Sequence, residues 1–142
     1  MVEQGFVMLV QAGLGTPPIA PGGYAVQLPS TAQIGDGTNG TYKMAWTYNT
    51  INDEPSYTLG GQDGFTEWEF RLNCHGNTMA NAIALARAIE GVLRGSWAGV
   101  LPDPDATVVQ GIFRRGPKVD GYDDVNRSYV RTLEYLVQYE QI

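Results

Sequence analysis

Residues 65–75 alternate between apolar and polar side chains, which is the pattern of a β-strand exposed to water on one face only. The apolar positions are Trp68, Phe70, Leu72 and Cys74, and the polar positions are Glu67, Glu69, Arg71 and Asn73. Because successive side chains of a strand point to opposite faces, this segment predicts a strand with one dry face and one polar face.

Residues 78–93 predict the main helix of the chain. Asn77 or Thr78 can cap its N-terminus, and several alanines allow it to lie close against a sheet. Its apolar stripe consists of Met79, Ala82, Ile83, Ala86, Ile89 and Leu93. Residues 3–12 predict a second, short helix, with Phe6, Leu9 and Val10 on one face and Gly13 as its stop signal.

Three further strands are predicted, at 42–51, at about 107–115 and at 128–140. Loops are predicted at 52–64 and 116–126, and residues 13–41, which are rich in Gly, Pro, Thr and Ser, predict a long irregular arm. The 142 residues fit a single domain. The element order predicts an α+β fold: an antiparallel sheet of about four strands with one main helix packed on it and a short N-terminal helix.

The charge balance argues against a sequence-reading nucleic-acid binder. Fifteen acidic and nine basic residues give a net charge of −6, whereas affinity for phosphate comes mainly from Lys and Arg. The one compact group of cations is Arg114–Arg115 with Lys118 nearby. It is interpreted as edge-strand charge or as a salt-bridge partner for a neighbouring subunit, with a weak phosphate site as the alternative.

The start of the chain has a carboxylate where a secretory signal has Lys or Arg, and no stretch approaches the roughly 20 apolar residues of a membrane span. Cys74 is the single cysteine, which excludes an internal disulfide and fits folding in a reducing cytosol. We therefore expect synthesis in a cytoplasm.

Few residues offer catalytic chemistry. His75 is the single histidine, and its neighbour Cys74 should point to the opposite face of the strand, so a core cysteine beside a surface histidine is predicted. Five aspartates lie between 103 and 124, but their spacing does not match a calcium loop, and no P-loop or dinucleotide fingerprint is present. The residues predict no catalytic site, no cofactor and no metal.

Glu67 and Glu69 lie two residues apart on one strand, which would separate their carboxylates by roughly 7 Å. Paired carboxylates can perform acid–base work. Since nothing in the sequence suggests a pocket around them, a solvated or interface-facing strand surface is the preferred interpretation.

One family shares the pattern of this chain from about residue 42 onward, together with the short first helix. The string EPSYTLGGQDG at 54–64, the strand that ends in NCHG and the helix NTMANAIALARAIEGVL resemble the tail-completion proteins of long-tailed phages, also called tail terminators or tail-to-head joining proteins. The matching positions are Pro55, Tyr57, Leu59, Gly61, Cys74, Tyr122, Asp123, Asp124, Tyr135 and Tyr139. His75 stands where that family has an aromatic residue, and the 13–41 arm is longer and richer in glycine.

The resemblance implies a structural virion protein of the tail or neck. Such a protein is one subunit of a ring, typically of six copies, which caps the tail tube and joins it to the head connector. The expected partners are copies of itself, the tail tube protein and the head–tail connector or stopper protein, and genome DNA passes through the lumen without specific binding. Head-to-tail packing around a closed axis would build the ring.

Interface residues are expected on the polar strand face and in the loops: Tyr57, Leu59, Glu67, Glu69, Arg114, Arg115 and Tyr122. Two other functions stay open. One is another head-completion or connector protein of similar size. The other is a small cytosolic α+β enzyme or ligand-binding module, which the lone histidine, the lone cysteine and the missing phosphate loop disfavour.

Overall fold

A computed structural model describes residues 2–14, 19–25, 28, 33–38, 41–58, 61–93, 99–100, 108–125 and 127–140. Two helices lie in these ranges, α1 (Val2–Gly13) and α2 (Met79–Val92). The strands of the same ranges are β1 (Ile19–Ala25), β2 (Met44–Thr58), β3 (Gly61–Gly76), β4 (Gly99–Val100), β5 (Val108–Asp123) and β6 (Ser128–Glu140).

The described strands form a single sheet in the order β1-β2-β3-β6-β5-β4. β1 runs parallel to β2, and every other neighbouring pair is antiparallel. The predicted α+β class is confirmed, and both helices lie where they were predicted. The sheet is larger than predicted, because it contains six strands and not about four.

Both predicted loops belong largely to strands, so those two predictions are wrong. β2 and β3 continue through 52–58 and 61–64 as one long hairpin, and β5 continues through 116–123. Irregular pairing at Pro55/Tyr57 and at Arg115/Val119 accommodates the turn-forming residues, and Gly116 supplies a positive φ of 70°. Hydrogen bonding across a hairpin outweighs weak strand propensity, and a bulge absorbs the residue that cannot join the ladder.

The segment 13–41, expected to be an irregular arm, contributes strand β1, in which Tyr24 lies beside Thr47 of β2. Further along, Leu28 is buried with Ala45 in a small apolar cluster. Tyr24, Ile34 and Tyr42 pack against this cluster. The described part of the segment therefore lies against its own subunit.

The main core lies between the helices and one face of the sheet. Phe6 of α1 contacts both Trp68 and Phe70 of β3, with ring centroids 5.6 Å and 4.5 Å away. Trp68 and Phe70 stack on each other at 4.2 Å. Helix α2 begins as predicted, because the Thr78 hydroxyl accepts a hydrogen bond from the Asn81 backbone amide. The dry strand face predicted from residues 65–75 is this core face.

Candidate assembly surface

The opposite face of the sheet is polar, and its side chains form cross-strand pairs. Arg71 of β3 donates to Glu134 of β6 at 3.0 Å. In the next row towards the end of β3, Thr132 donates to Asn73 at 2.9 Å. Because these pairs are partly exposed, each contributes little to stability, and their main effect is to keep this face hydrophilic.

A groove runs along this polar face. Its larger cavity, of about 500 Å³, has Thr47, Asn73 and His75 on the sheet side and residues 119–125 of β5 and the following turn as its wall. A second cavity of about 390 Å³ shares Asn73 with the first and continues past Arg71. The groove is therefore lined by hydroxyl, amide and charged groups together with three valines, Val119, Val125 and Val130.

His75 lies below the groove and is buried, so the prediction of a surface histidine is wrong. The ring nitrogen Nδ1 lies 2.8 Å from the Ser128 hydroxyl, and Nε2 lies 3.0 Å from the Thr47 hydroxyl. Hydroxyls donate or accept, so either neutral tautomer of the ring is satisfied. The prediction of a core cysteine is confirmed, because Cys74 is fully buried on the other face.

The histidine lies near a serine and an aspartate, which are the residue types of a catalytic triad. Asp123 Oδ2 lies 3.9 Å from His75 Nδ1, the nitrogen that already faces Ser128. A triad needs its carboxylate and its nucleophile on different ring nitrogens. Ser128 is also 0% exposed, so its hydroxyl does not reach a substrate. The arrangement ties β2, β3 and β6 together and provides no accessible nucleophile.

Burial lowers the pKa of His75 from 6.5 to about 4, with Asp123 opposing the shift. Below pH 6.5 His75 is protonated in the unfolded chain but stays neutral in the folded chain. The free energy of unfolding therefore decreases as the pH falls from about 6.5 towards 4. Between pH 7 and pH 5 we expect a loss of about 2 kcal/mol in the free energy of unfolding. Urea unfolding of the wild type and of His75→Gln measures it. Parallel pH profiles for the two proteins would contradict this prediction.

Glu67 and Glu69 both lie on the polar face, two register positions apart. Glu67 accepts a hydrogen bond from the Gln138 side-chain amide at 3.2 Å. Both side chains are partly buried, and no cluster of potential metal ligands occurs among the described residues. Their assignment to an interface stays a prediction.

Arg114 and Lys118 contact an acid of their own chain. Lys118 Nζ lies 2.9 Å from Glu90 Oε1 of α2, and Arg114 Nη1 lies 3.9 Å from the same oxygen. One carboxylate thus faces two cations, and the Arg114 side chain stays 46% exposed. Arg115 has a backbone position in β5 opposite Glu134. The sequence did not reveal Glu90 as a partner, because α2 and β5 meet only in the folded chain.

Tyr122 belongs to an exposed aromatic pair near the β5–β6 turn. Its ring packs edge-on against Tyr129 at 5.1 Å, and the two residues are 54% and 43% exposed. Val125 in the turn is 72% exposed. Tyr57 lies in β2 opposite Gln62, and Leu59 lies outside the described residues.

Within the part of the chain that the structure describes, no helix is long and apolar enough to span a membrane.

Comparison with known proteins identifies the fold. No family model matches the chain. No curated protein matches it either. A solved structure of the virion of a native gene transfer agent (GTA) particle contains a chain that aligns over 98% of this chain and 91% of its own length, with a TM-score of 0.52 and 15% identity. The two chains share a fold.

Proposed function

We propose that this chain is a structural virion protein, and specifically one subunit of a six-membered ring that terminates a phage tail tube and joins it to the head connector. The observation that carries the proposal is the fold shared with a chain of the GTA virion over 98% of one chain and 91% of the other. The phage-tail pattern of the sequence from residue 42 onward supports it independently.

The placement of the two long hairpins suits a subunit with two different ends. The β2–β3 turn lies at the end of the sheet where Phe65 pairs with Glu140. The β5–β6 turn lies at the other end, where Tyr129 pairs with Gly76. A ring that joins two unlike structures needs separate contact elements on its two ends, and hairpins held on a rigid sheet can serve as both.

Mass measurement of the purified chain tests the ring. Six copies of the 15.5 kDa chain give a particle of about 93 kDa (6 × 15.5 kDa), which light scattering distinguishes from a monomer. A chain that stays monomeric at every concentration tested, with and without tail tubes, would refute the ring. Binding to head connectors with no binding to tail tubes would favour the alternative, a head-completion protein.

The polar face is our candidate for the wall of the DNA channel, because it carries Glu67, Glu69 and Glu134 against Arg71. Carboxylates on the wall would let DNA slide, since attractive phosphate contacts would hold it. Glu67→Lys and Glu69→Lys, tested separately in assembled particles, are each expected to slow DNA ejection about tenfold at low salt.

A matched control for this experiment is Ala84→Lys/Ala88→Lys. It changes the charge of each subunit by the same +2 as either glutamate variant, at exposed positions of α2 on the other side of the sheet. Control particles should eject DNA at the wild-type rate. If both glutamate variants ejected DNA at the wild-type rate, the polar face would not be the wall of the DNA channel.

A further inference from the structure

Charge is distributed unevenly across the sheet. Residues 44–70, which we call the acidic hairpin, contain five acidic residues and no Lys or Arg: Asp53, Glu54, Asp63, Glu67 and Glu69. Residues 108–119, which we call the basic stretch, contain Arg114, Arg115 and Lys118 and no acidic residue. The chain as a whole has a net charge of −6, so a segment of three cations without an acid stands out.

The fold places these two segments on opposite sides of the sheet. The acidic hairpin is built from β2 and β3, the basic stretch lies in β5, and β6 separates them. Glu90 offsets one of the three cations, because Lys118 and Arg114 both face its Oε1 atom. With Glu90 counted, the basic stretch keeps a net charge of +2, against −5 for the acidic hairpin.

The two strands also have uncovered edges. Within the described residues, β1 pairs with β2 only as far as Tyr48, which leaves 49–58 without a neighbour on that side. Likewise β4 pairs only with Val108 and Val109, so the rest of β5 has no described neighbour on its outer side. The interrupted register between Arg115 and Val119 makes plain strand addition at that edge unfavourable, so contact there would be made by side chains.

We infer that the acidic hairpin of one copy binds the basic stretch of β5 in a second copy. This contact presupposes the ring proposed above and specifies its subunit interface. A two-fold dimer through the hairpins would place the acidic edge of β2, with Asp53 and Glu54, against the same edge of the other copy, which is unfavourable. A head-to-tail arrangement instead brings unlike surfaces together at every interface, and repetition of one rotation closes it into a ring.

Charge reversal tests this interface in the full chain. The hairpin variant is Glu54→Lys/Asp63→Lys, and the stretch variant is Arg114→Glu/Arg115→Glu, which keeps Lys118 on Glu90. Each variant alone should self-associate at least about 100-fold more weakly than the wild type at low salt, because each interface then opposes like charges. Sedimentation velocity measures the association, and circular dichroism verifies that each variant is folded.

The decisive experiment mixes the hairpin variant with the stretch variant and measures whether they associate with each other. Each interface in an alternating ring would again join opposite charges, so the mixture should assemble within about threefold of the wild-type affinity. The control Lys43→Glu/Arg87→Glu reverses two exposed cations outside the basic stretch and should assemble normally. Wild-type assembly by both single variants, or a folded mixture that stays monomeric, would overturn the inference while leaving the ring intact. A monomeric wild type would refute both.

Discussion

Replacing Trp68 by alanine is expected to lower the free energy of unfolding by about 4 kcal/mol, because the change removes one of the two fully buried tryptophan side chains of the described core. Trp68 is fully buried, stacks on Phe70 at 4.2 Å and meets Phe6 of α1 edge-on at 5.6 Å. The change also removes one of the two ring contacts that Phe6 of α1 makes with β3. Urea unfolding followed by circular dichroism gives the free energy.

Trp68→Phe is the matched control for this prediction. Phenylalanine keeps an aromatic ring against Phe6 and Phe70 but loses the hydrogen bond that Trp68 Nε1 donates to Thr50 Oγ1 at 2.9 Å. We expect a smaller loss of about 1.5 kcal/mol, since a neutral hydrogen bond contributes about 1 kcal/mol and the smaller ring leaves some space. An alanine variant no less stable than the phenylalanine variant would show that this cluster does not hold α1 in place.

The second large effect is expected at Gly76, the last residue of β3, which lies against the first turn of α2. A Cβ atom at this position would lie 2.8 Å from the Thr78 carbonyl oxygen and 2.9 Å from the Asn81 carbonyl carbon. Both are backbone atoms, so relief requires a shift of the helix. Gly76→Ala should therefore destabilise the protein by about 3 kcal/mol. Thermal and urea unfolding measure it.

Replacing Gly91, in the same helix, is expected to have the opposite effect on the stability of the protein. A Cβ atom there meets nothing within 4 Å, so Gly91→Ala adds no clash and reduces the backbone freedom of the unfolded chain. We expect it to stabilise the protein by about 1 kcal/mol. Equal and small effects at both glycines would mean that α2 does not pack closely against the end of β3.

Local patterns predicted the parts of the fold that depend on neighbours in sequence. The alternation at 65–75 identified the core and polar faces of β3, and Thr78 was one of the two predicted caps, because its hydroxyl can satisfy an amide only three residues away. The extension of the β2–β3 hairpin was missed, since Pro55 and Gly61 are poor strand residues whose pairing is stabilised by the partner strand. Strand β1, which contains Pro21, Gly22 and Gly23, was missed for the same reason.

The candidate surface was predicted less completely than the fold. Alternation alone placed Glu67 and Glu69 on the polar face. The environment of His75 could not be read from the sequence, because its hydroxyl partners Thr47 and Ser128 lie 28 and 53 residues away. The same holds for Glu90, whose cations lie on a strand that follows the helix after a long separation. Contacts of this kind depend on the sheet order, which short-range periodicity does not specify.

The central claim is that this chain forms a ring on the end of a tail tube, and electron microscopy of negatively stained tubes tests it most directly. Tail tubes assembled without a capping protein would be incubated with the purified chain and scored for density at their ends. The proposed function predicts a ring at one end of each tube and no further growth from that end. Bare ends and continued growth at saturating concentrations of the folded chain would contradict it.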